Sequence, residues 1–404
     1  MVAPGGLGYA SFLDAMLRNT DNPVDGSVTA EYPLSAGAYF DVLSYHVYPA
    51  YALKTWNNST MVMDYRRHSD AAVAEFVKLK DDMWQVLLNY GYNGTTYPLK
   101  HVICTETNIS RKQFMNGSDP LIGGDVEQKN YVMKTLVKSQ MNGISQLYTF
   151  LLGDAGNVAT ATSEYEVMGL YKNLVGVGPL WNGGNYGHQY TNSGVGFKTT
   201  SDLLRNKYFD AARTAAMNLP AGVEGGAFHD AIGNYAYVLW AKTTLDMSEF
   251  STASYSFPLA MNINPLVVKR EWDFSVSGIN TEISSSDIAL NGTPLFIFEN
   301  LIIADVNPDS IARKKEKSQF EASIFPVPAT TATTISFTLR SPEKISITIH
   351  DGNGRMIKNV MTAKNYATGK HSFPVDVNAL EAGIYYVKIS TEKNSALKKL
   401  VVMR

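Results

Sequence analysis

The stretch Val-Ile-Cys-Thr-Glu-Thr-Asn-Ile-Ser around Glu106 carries the most chemical information in the chain. It reads as a short apolar strand over residues 101–107 that ends in a carboxylate and runs into a polar loop at Asn108. A parallel barrel places its catalytic groups at such C-terminal strand ends. A carboxylate there must stay ionised to attack or to accept a proton, which requires hydrogen-bond donors close by in a partly desolvated site. The segment 39–49 offers them. Alternation puts Ser44, His46 and Tyr48 on one face and Leu43, Tyr45 and Val47 on the other, so His46 and Tyr48 are expected beside the strand of Glu106. A third strand, 146–152, brings Tyr148 and then Asp154 toward the same end, and Trp181 lies in a glycine-rich stretch beyond. Each residue also has a plain structural reading. A strand-end glutamate is commonly solvated, His46 could be a satisfied structural histidine, and Tyr148 could simply pack inside a barrel. Cys104 reads as a small buried hydrophobe.

The elements that must position these groups alternate in kind. Helical periodicity marks segments 9–18, 69–90, 125–141 and 201–218, the second closed by Gly91 and the third by Gly143. Strand–helix alternation argues for parallel βα units, and four of them make half of an eight-unit barrel. After Pro220 the pattern becomes all-β. Strand-like runs at 236–244, 254–261, 266–274 and 294–300 are separated by Gly, Asn and Ser turns. Residues 305–319 are polar and charged and read as a linker. The remainder, from Phe320, alternates apolar and polar residues through five runs and reads as a compact Ig-like sandwich. The expected fold class is therefore α/β plus all-β: a partial barrel over 1–219, a small antiparallel sandwich over 220–304, a linker over 305–319 and an Ig-like sandwich over 320–404.

Composition narrows the partners. The 404 residues carry a formal net charge of -2, which gives no electrostatic reason to expect nucleic acid or an anionic membrane. One cysteine excludes an internal disulfide and a multi-cysteine zinc site, and no cofactor is called for. The apolar runs are too short to span a bilayer. The 23 tyrosines suit sugar recognition, because aromatic rings stack on the apolar faces of sugars, but they suit ordinary cores equally.

Two resemblances add to this. Pro326 and Pro328, the run Asp351, Gly354 and Arg355, the strand with Gly383, Tyr385 and Tyr386, and the closing Lys398 and Lys399 together resemble the type IX secretion sorting domain of Bacteroidetes. Val327 departs from the asparagine common there. The resemblance implies recognition by the type IX export machinery and a secreted or cell-surface location. The segments around His46, Glu106 and Tyr148 resemble the last strands of retaining (β/α)8 glycoside hydrolases, whose catalytic glutamates end strands four and seven. On that reading residues 2–8 are strand five with its loop, 40–49 strand six, 102–108 strand seven and 146–154 strand eight. The resemblance implies a poly- or oligosaccharide substrate with β-linkages. Glu106 matches the nucleophile, with His46, Tyr48, Asn108, Tyr148, Asp154 and Trp181 as substrate-binding candidates. The mechanism needs a second carboxyl group about 5–5.5 Å away, and the sequence offers no counterpart to the strand-four glutamate. Glu31 lies in a loop-like segment. The missing acid/base and the missing signal peptide share one explanation: the chain is expected to be a fragment of a longer hydrolase, poorly stable and inactive alone. The alternatives are a non-catalytic exported glycan-binding protein that keeps a degenerate barrel, and a different strand-end carboxylate enzyme on the same fold.

Overall fold

Three parallel strands, β1 (Val42–Val47), β2 (His101–Thr107) and β3 (Ile144–Thr149), form a sheet with β2 in the middle. In the computed structural model the described residues are 5–18, 22, 24–25, 27–34, 36–172, 189–299, 321–339, 341–350, 356–391 and 395–403. The chain divides into two units, Met1–Leu301 and Ile302–Arg404.

Among the described residues the expected strand five shows one bridge. Leu7 donates its N–H to Ser44 O and accepts from His46 N–H, at 3.0 and 3.1 Å, beside β1. Its neighbours Val2 to Pro4 lie outside the described residues. Gly5 and Gly8 flank the bridge and give the backbone little reason to continue a ladder.

Helices α1 (Ala10–Arg18), α2 (Ser69–Asn89) and α3 (Asp125–Met141) follow the periodicity closely. The start of α2 is fixed by His68, whose Nδ1 accepts from the Ala71 N–H at 3.3 Å, with Asp70 in the first turn favouring the helix dipole. Ala72, Phe76, Met83 and Leu87 make its buried stripe. Phe76, Met83 and Leu87 of that stripe, with Leu13 and Leu17 of α1, cover Leu43, Tyr45, Val102, Cys104 and Ile144 on one side of the parallel sheet.

The expected helix over 201–218 is not continuous. Helix α4 starts earlier, at Asn192, capped by Thr191, and ends at Leu204. Asn206 takes a left-handed φ of 57°. Residues Tyr208–Asp210 then form a strand (β4), and Asp210 caps a separate helix α5 (Ala211–Ala216). Residue 219 is therefore not a structural boundary, since β4 already belongs to the next sheet.

That sheet has six antiparallel strands. β5 (Val223–His229), β6 (Tyr235–Ala241), β8 (Leu266–Arg270), β9 (Thr281–Ser284) and β11 (Leu295–Glu299) join β4 in the order β9-β8-β11-β6-β5-β4, while β7 (Thr252–Tyr255) pairs with β10 (Ile288–Asn291). Alternation along β6 serves two cores. Ala236, Val238 and Trp240 pack with Met133 and Val137 of α3 and Leu203 of α4, while Tyr237, Leu239 and Ala241 pack with Tyr255, Ile288 and Leu290. Helix α3 is thus buried on most of its circumference, including Lys129 and Lys134.

A polar network crosses this junction. Asp70 accepts from Lys134 Nζ and Trp240 Nε1, both at 2.8 Å, and from the N–H and hydroxyl of Thr243 at 2.6 and 2.7 Å. Glu249 accepts from the Ser69 N–H and hydroxyl at 2.6 Å and from Asn130 Nδ2 at 2.8 Å.

In the second unit, β12 (Glu321–Phe325), β13 (Ala332–Leu339) and β16 (Gly369–Asp376) form one antiparallel sheet. β14 (Glu343–His350), β15 (Met356–Tyr366), β17 (Gly383–Ser390) and β18 (Ser395–Val402) form another, ordered β15-β14-β17-β18. Ile335, Phe337, Ile345, Ile347, Val387 and Leu400 share one core. The sequence reading's five runs missed two of these strands, β12 and β15; the run Met-Ile-Lys-Asn-Val-Met-Thr-Ala-Lys of β15 is half to fully exposed and lacks a clean apolar alternation. The linker 305–319 and the motif residues Asp351, Gly354 and Arg355 lie outside the described residues.

Candidate functional site

Strict alternation along β2 would send Glu106 the same way as Cys104, into the core beneath the helices. The strand avoids this with a bulge. Tyr45 pairs with Cys104 and His46 with Glu106, so Thr105 and Glu106 together face the single step from Tyr45 to His46. On the other side, Cys104 pairs with Leu147 and Thr107 with Thr149, so the same two residues oppose Tyr148. The side chains follow. Cys104 stays in the helix-covered core, Thr105 reaches Ser44 at 3.5 Å, and Thr107 turns back to the Tyr131 hydroxyl of α3. Glu106 is released onto the open face. Bulges re-aim side chains in this way by inserting one residue against a partner strand.

On that face Glu106 Oε2 accepts a 2.8 Å hydrogen bond from the Tyr48 hydroxyl and lies 3.5 Å from His46 Nδ1. Both Glu106 and His46 are about one-third exposed, at 38% and 33% of the side chain. Burial, then the bond to Glu106, pushes the Tyr48 phenol far above its ordinary value, so it remains a donor. Gly6 makes room for the imidazole: a Cβ there would sit 1.8 Å from His46 Cδ2. Two rings absent from the sequence reading complete the surroundings. Phe150 and Tyr165 meet Tyr48 edge-on at 6.0 and 5.1 Å, and each other at 6.2 Å. Tyr165 is carried by a short helical turn whose Ser163–Glu166 capping box was legible as Ser-x-x-Glu, although its destination was not. The peptide joining Phe150 to Leu151 is cis.

The other candidates separate clearly. Tyr148 is beside Glu106 in the sheet and 52% exposed, with its hydroxyl donating to Gln146 Oε1 at 3.0 Å. Asn108 is a correction. It is fully buried, its Nδ2 donates to the carbonyls of Phe150 and Met168 at 2.5 and 2.7 Å, and its Oδ1 accepts from the Ile109 N–H. With its amide spent on pinning three backbone segments, it cannot orient a substrate. Asp154 is a second correction. It is 2% exposed, paired with Arg111, and accepts from the Gly169 N–H at 2.8 Å, so it anchors the loop after β3. Trp181 lies outside the described residues. Burial raises the Cys104 thiol to about 12, which makes it an inert packing group. Among the described residues no cluster of three or more His, Cys, Asp or Glu could hold a metal ion, and no helix is long and apolar enough to cross a membrane.

The tail declares itself by sequence. Residues 323–403 match the secretion system C-terminal sorting domain. The chain is an exported one, destined for the cell surface or the medium through the type IX machinery. No curated protein sequence matches the chain. Among solved structures, similarity extends to a family 51 α-L-arabinofuranosidase of Bifidobacterium longum (7% identity, 65% of this chain and 54% of that one, TM-score 0.38). It extends also to the GH51 arabinofuranosidase of Xanthomonas axonopodis pv. citri (11% identity, 72% and 54%, TM-score 0.30). A third is a bacterial orthologue of human α-L-iduronidase (8% identity, 96% and 68%, TM-score 0.35). The chain spans 54% of the length of each arabinofuranosidase. All three neighbours are glycosidases, but superpositions this loose carry no argument about the site.

Proposed function

We propose that the chain is part of a secreted retaining glycoside hydrolase acting on β-linked poly- or oligosaccharides, with Glu106 as nucleophile. In this reading β1, β2 and β3 correspond to barrel strands six, seven and eight, and the bridge at Leu7 to strand five. One observation carries the reading: a carboxylate about one-third exposed at the C-terminal end of a parallel strand, turned outward by a bulge and held by Tyr48 and His46. The Tyr48 hydroxyl and the imidazole orient the carboxylate, and the phenol can donate to it only while protonated, which its raised pKa favours. In the first step Glu106 bonds to the anomeric carbon while the glycosidic oxygen leaves with a proton from a second carboxyl group. In the second step water replaces Glu106 at that carbon and returns the proton to the second group. Phe150, Tyr165 and Tyr148 border the site and offer apolar faces to a sugar ring.

The nucleophile can be tested without the acid. A 2,4-dinitrophenolate leaving group needs no proton, so a panel of dinitrophenyl 2-deoxy-2-fluoroglycosides should trap the chain as a glycosyl ester. Mass spectrometry of the digest is expected to map the adduct to Glu106 and to find none in Glu106→Gln. An adduct on a different carboxylate removes Glu106 from the mechanism. Glycan binding without turnover is the competing reading, favoured by the ring of aromatics that would hold a sugar whether or not it is cleaved. Tight oligosaccharide binding together with no trapping by any member of the panel decides for it.

A further inference from the structure

The antiparallel sheet holds a second constellation, unconnected to Glu106. Where β6, β8 and β11 end, a cleft of about 520 Å³ is lined by Lys207, Arg213, Tyr235, Arg270, Phe298 and Glu299. Most of its charges are already matched. Lys207 Nζ bonds Asp230 Oδ2 at 3.2 Å and the Asn234 carbonyl at 2.9 Å. Arg213 bonds the Tyr237 hydroxyl at 3.1 and 2.9 Å and pairs with Glu299 at 3.4 Å.

Arg270 is the exception. Its guanidinium is clamped between two rings, 4.5 Å from the Phe274 centroid and 4.3 Å from that of Phe298. Asn280 Oδ1 accepts from its Nε at 2.8 Å. Among the described residues it has no carboxylate partner, and burial alone pushes its pKa down. A half-buried cation without a counter-charge is costly. The clamp and the bond to Asn280 fix the plane of the fork and leave the terminal N–H groups as a rigid edge in the cleft wall, which is the geometry that takes a carboxylate bidentately. Around that edge, Lys207, Asn234 and Glu299 offer further donors and acceptors to sugar hydroxyls, and the Tyr235 hydroxyl, which donates to Asp210 Oδ2 at 3.0 Å, can accept, in a volume within the ordinary range for small-molecule sites.

We propose that this cleft is a second, non-catalytic glycan site that binds a carboxylate-bearing sugar, a hexuronate residue, through Arg270. It would tether the exported protein to an acidic polysaccharide whatever Glu106 does.

The test is calorimetric titration of the chain with galacturonate and glucuronate tetrasaccharides, their methyl-esterified counterparts, and inorganic sulfate and phosphate. An acidic tetrasaccharide is expected to bind at least about tenfold more tightly than its neutral ester, a difference of about 1.4 kcal/mol. Arg270→Gln should lose that preference. Arg270→Lys, which keeps the charge and the packing stem but not the fork, should retain only part of it. Arg270→Gln should still be trapped at Glu106 by the dinitrophenyl 2-deoxy-2-fluoroglycosides as the parent is, which separates this site from the proposed active site. Equal affinity for acid and ester, or unchanged binding by an Arg270→Gln variant with the parent's unfolding midpoint, overturns the proposal. So does sulfate or phosphate binding as tightly as the tetrasaccharide, which would reduce the cleft to a simple anion site.

Discussion

Two carboxylates in the first unit, Asp70 and Glu106, occupy opposite situations. Asp70 sits in the junction between α2, α3 and the antiparallel sheet, where four donors from three segments surround it and its side chain is nearly inaccessible. Burial pushes its pKa up, but Lys134 and the Thr243 hydrogen bonds outweigh that, and the net shift is downward. Glu106 has only Tyr48 and His46 as partners among the described residues, both bearing on one oxygen, and it faces water. A buried carboxylate with both oxygens engaged by donors holds structure together and can do nothing else. One with an unengaged oxygen at an open face is available to react, and its loss leaves little behind to destabilise the fold.

The sharpest break in that contrast comes from Glu106→Gln. It should slow the first release of dinitrophenolate from dinitrophenyl glycosides, the step that needs no acid, by at least about a thousandfold, about 4 kcal/mol of barrier, while the urea midpoint hardly moves. A large loss of stability with activity retained would reverse the two roles. The mirror experiment is Lys134→Met, which strands Asp70 without its cation. Denaturant titration should show a loss of about 3–5 kcal/mol, and Lys134→Met combined with Asp70→Leu should recover part of it. Recovery is the informative outcome, because it separates the isolated buried charge from the pair itself. Tyr48→Phe comes next. Removing the donor to Glu106 should slow the same dinitrophenolate release by about tenfold to a hundredfold, in line with about 1.5–3 kcal/mol for a hydrogen bond to a charged group, with stability within about 1 kcal/mol.

The smallest effect is a pH dependence. Burial lowers the Lys129 ammonium to about 8, in a pocket where its Nζ meets Thr293 and lies over Trp272. The unfolded chain holds that proton up to about pH 10.4. Between about pH 8 and 10 the unfolded state therefore binds more protons than the folded one, and stability rises with pH at up to about 1.4 kcal/mol per unit. Below pH 8 the lysine is charged in both states and the slope vanishes. Lys129→Met should flatten the rise; an unchanged slope would place its origin elsewhere.

How much of this was legible varied with how local its cause was. The stripe of α2, the glycines that close α2 and α3, and the pairing of Ser44 with His46 on one face follow from residues within a turn or two of each other. Helix 201–218 failed because amphipathic spacing ran on through Asn206, while the left-handed turn there and the edge of the antiparallel sheet claimed Tyr208–Asp210. Asn108 and Asp154 looked available because each follows a strand end. Their partners, Met168, Gly169 and Arg111, arrive from loops whose paths no local pattern specifies. The Asp70 network was invisible for the same reason, joining residues 64 to 173 positions apart.

The sequence by itself determined which residues could do chemistry, the period of α1, α2 and α3 and of the parallel strands, and the export signal in the tail, because these depend on composition, motif order and repeats along the chain. Only the tertiary structure decided which way Glu106 points. Alternation alone would have buried it beside Cys104, and the extra residue that turns it outward exists only relative to the registers of the strands on either side. Register is a property of the assembled sheet, so the feature on which the proposed chemistry depends had no signature in any single segment.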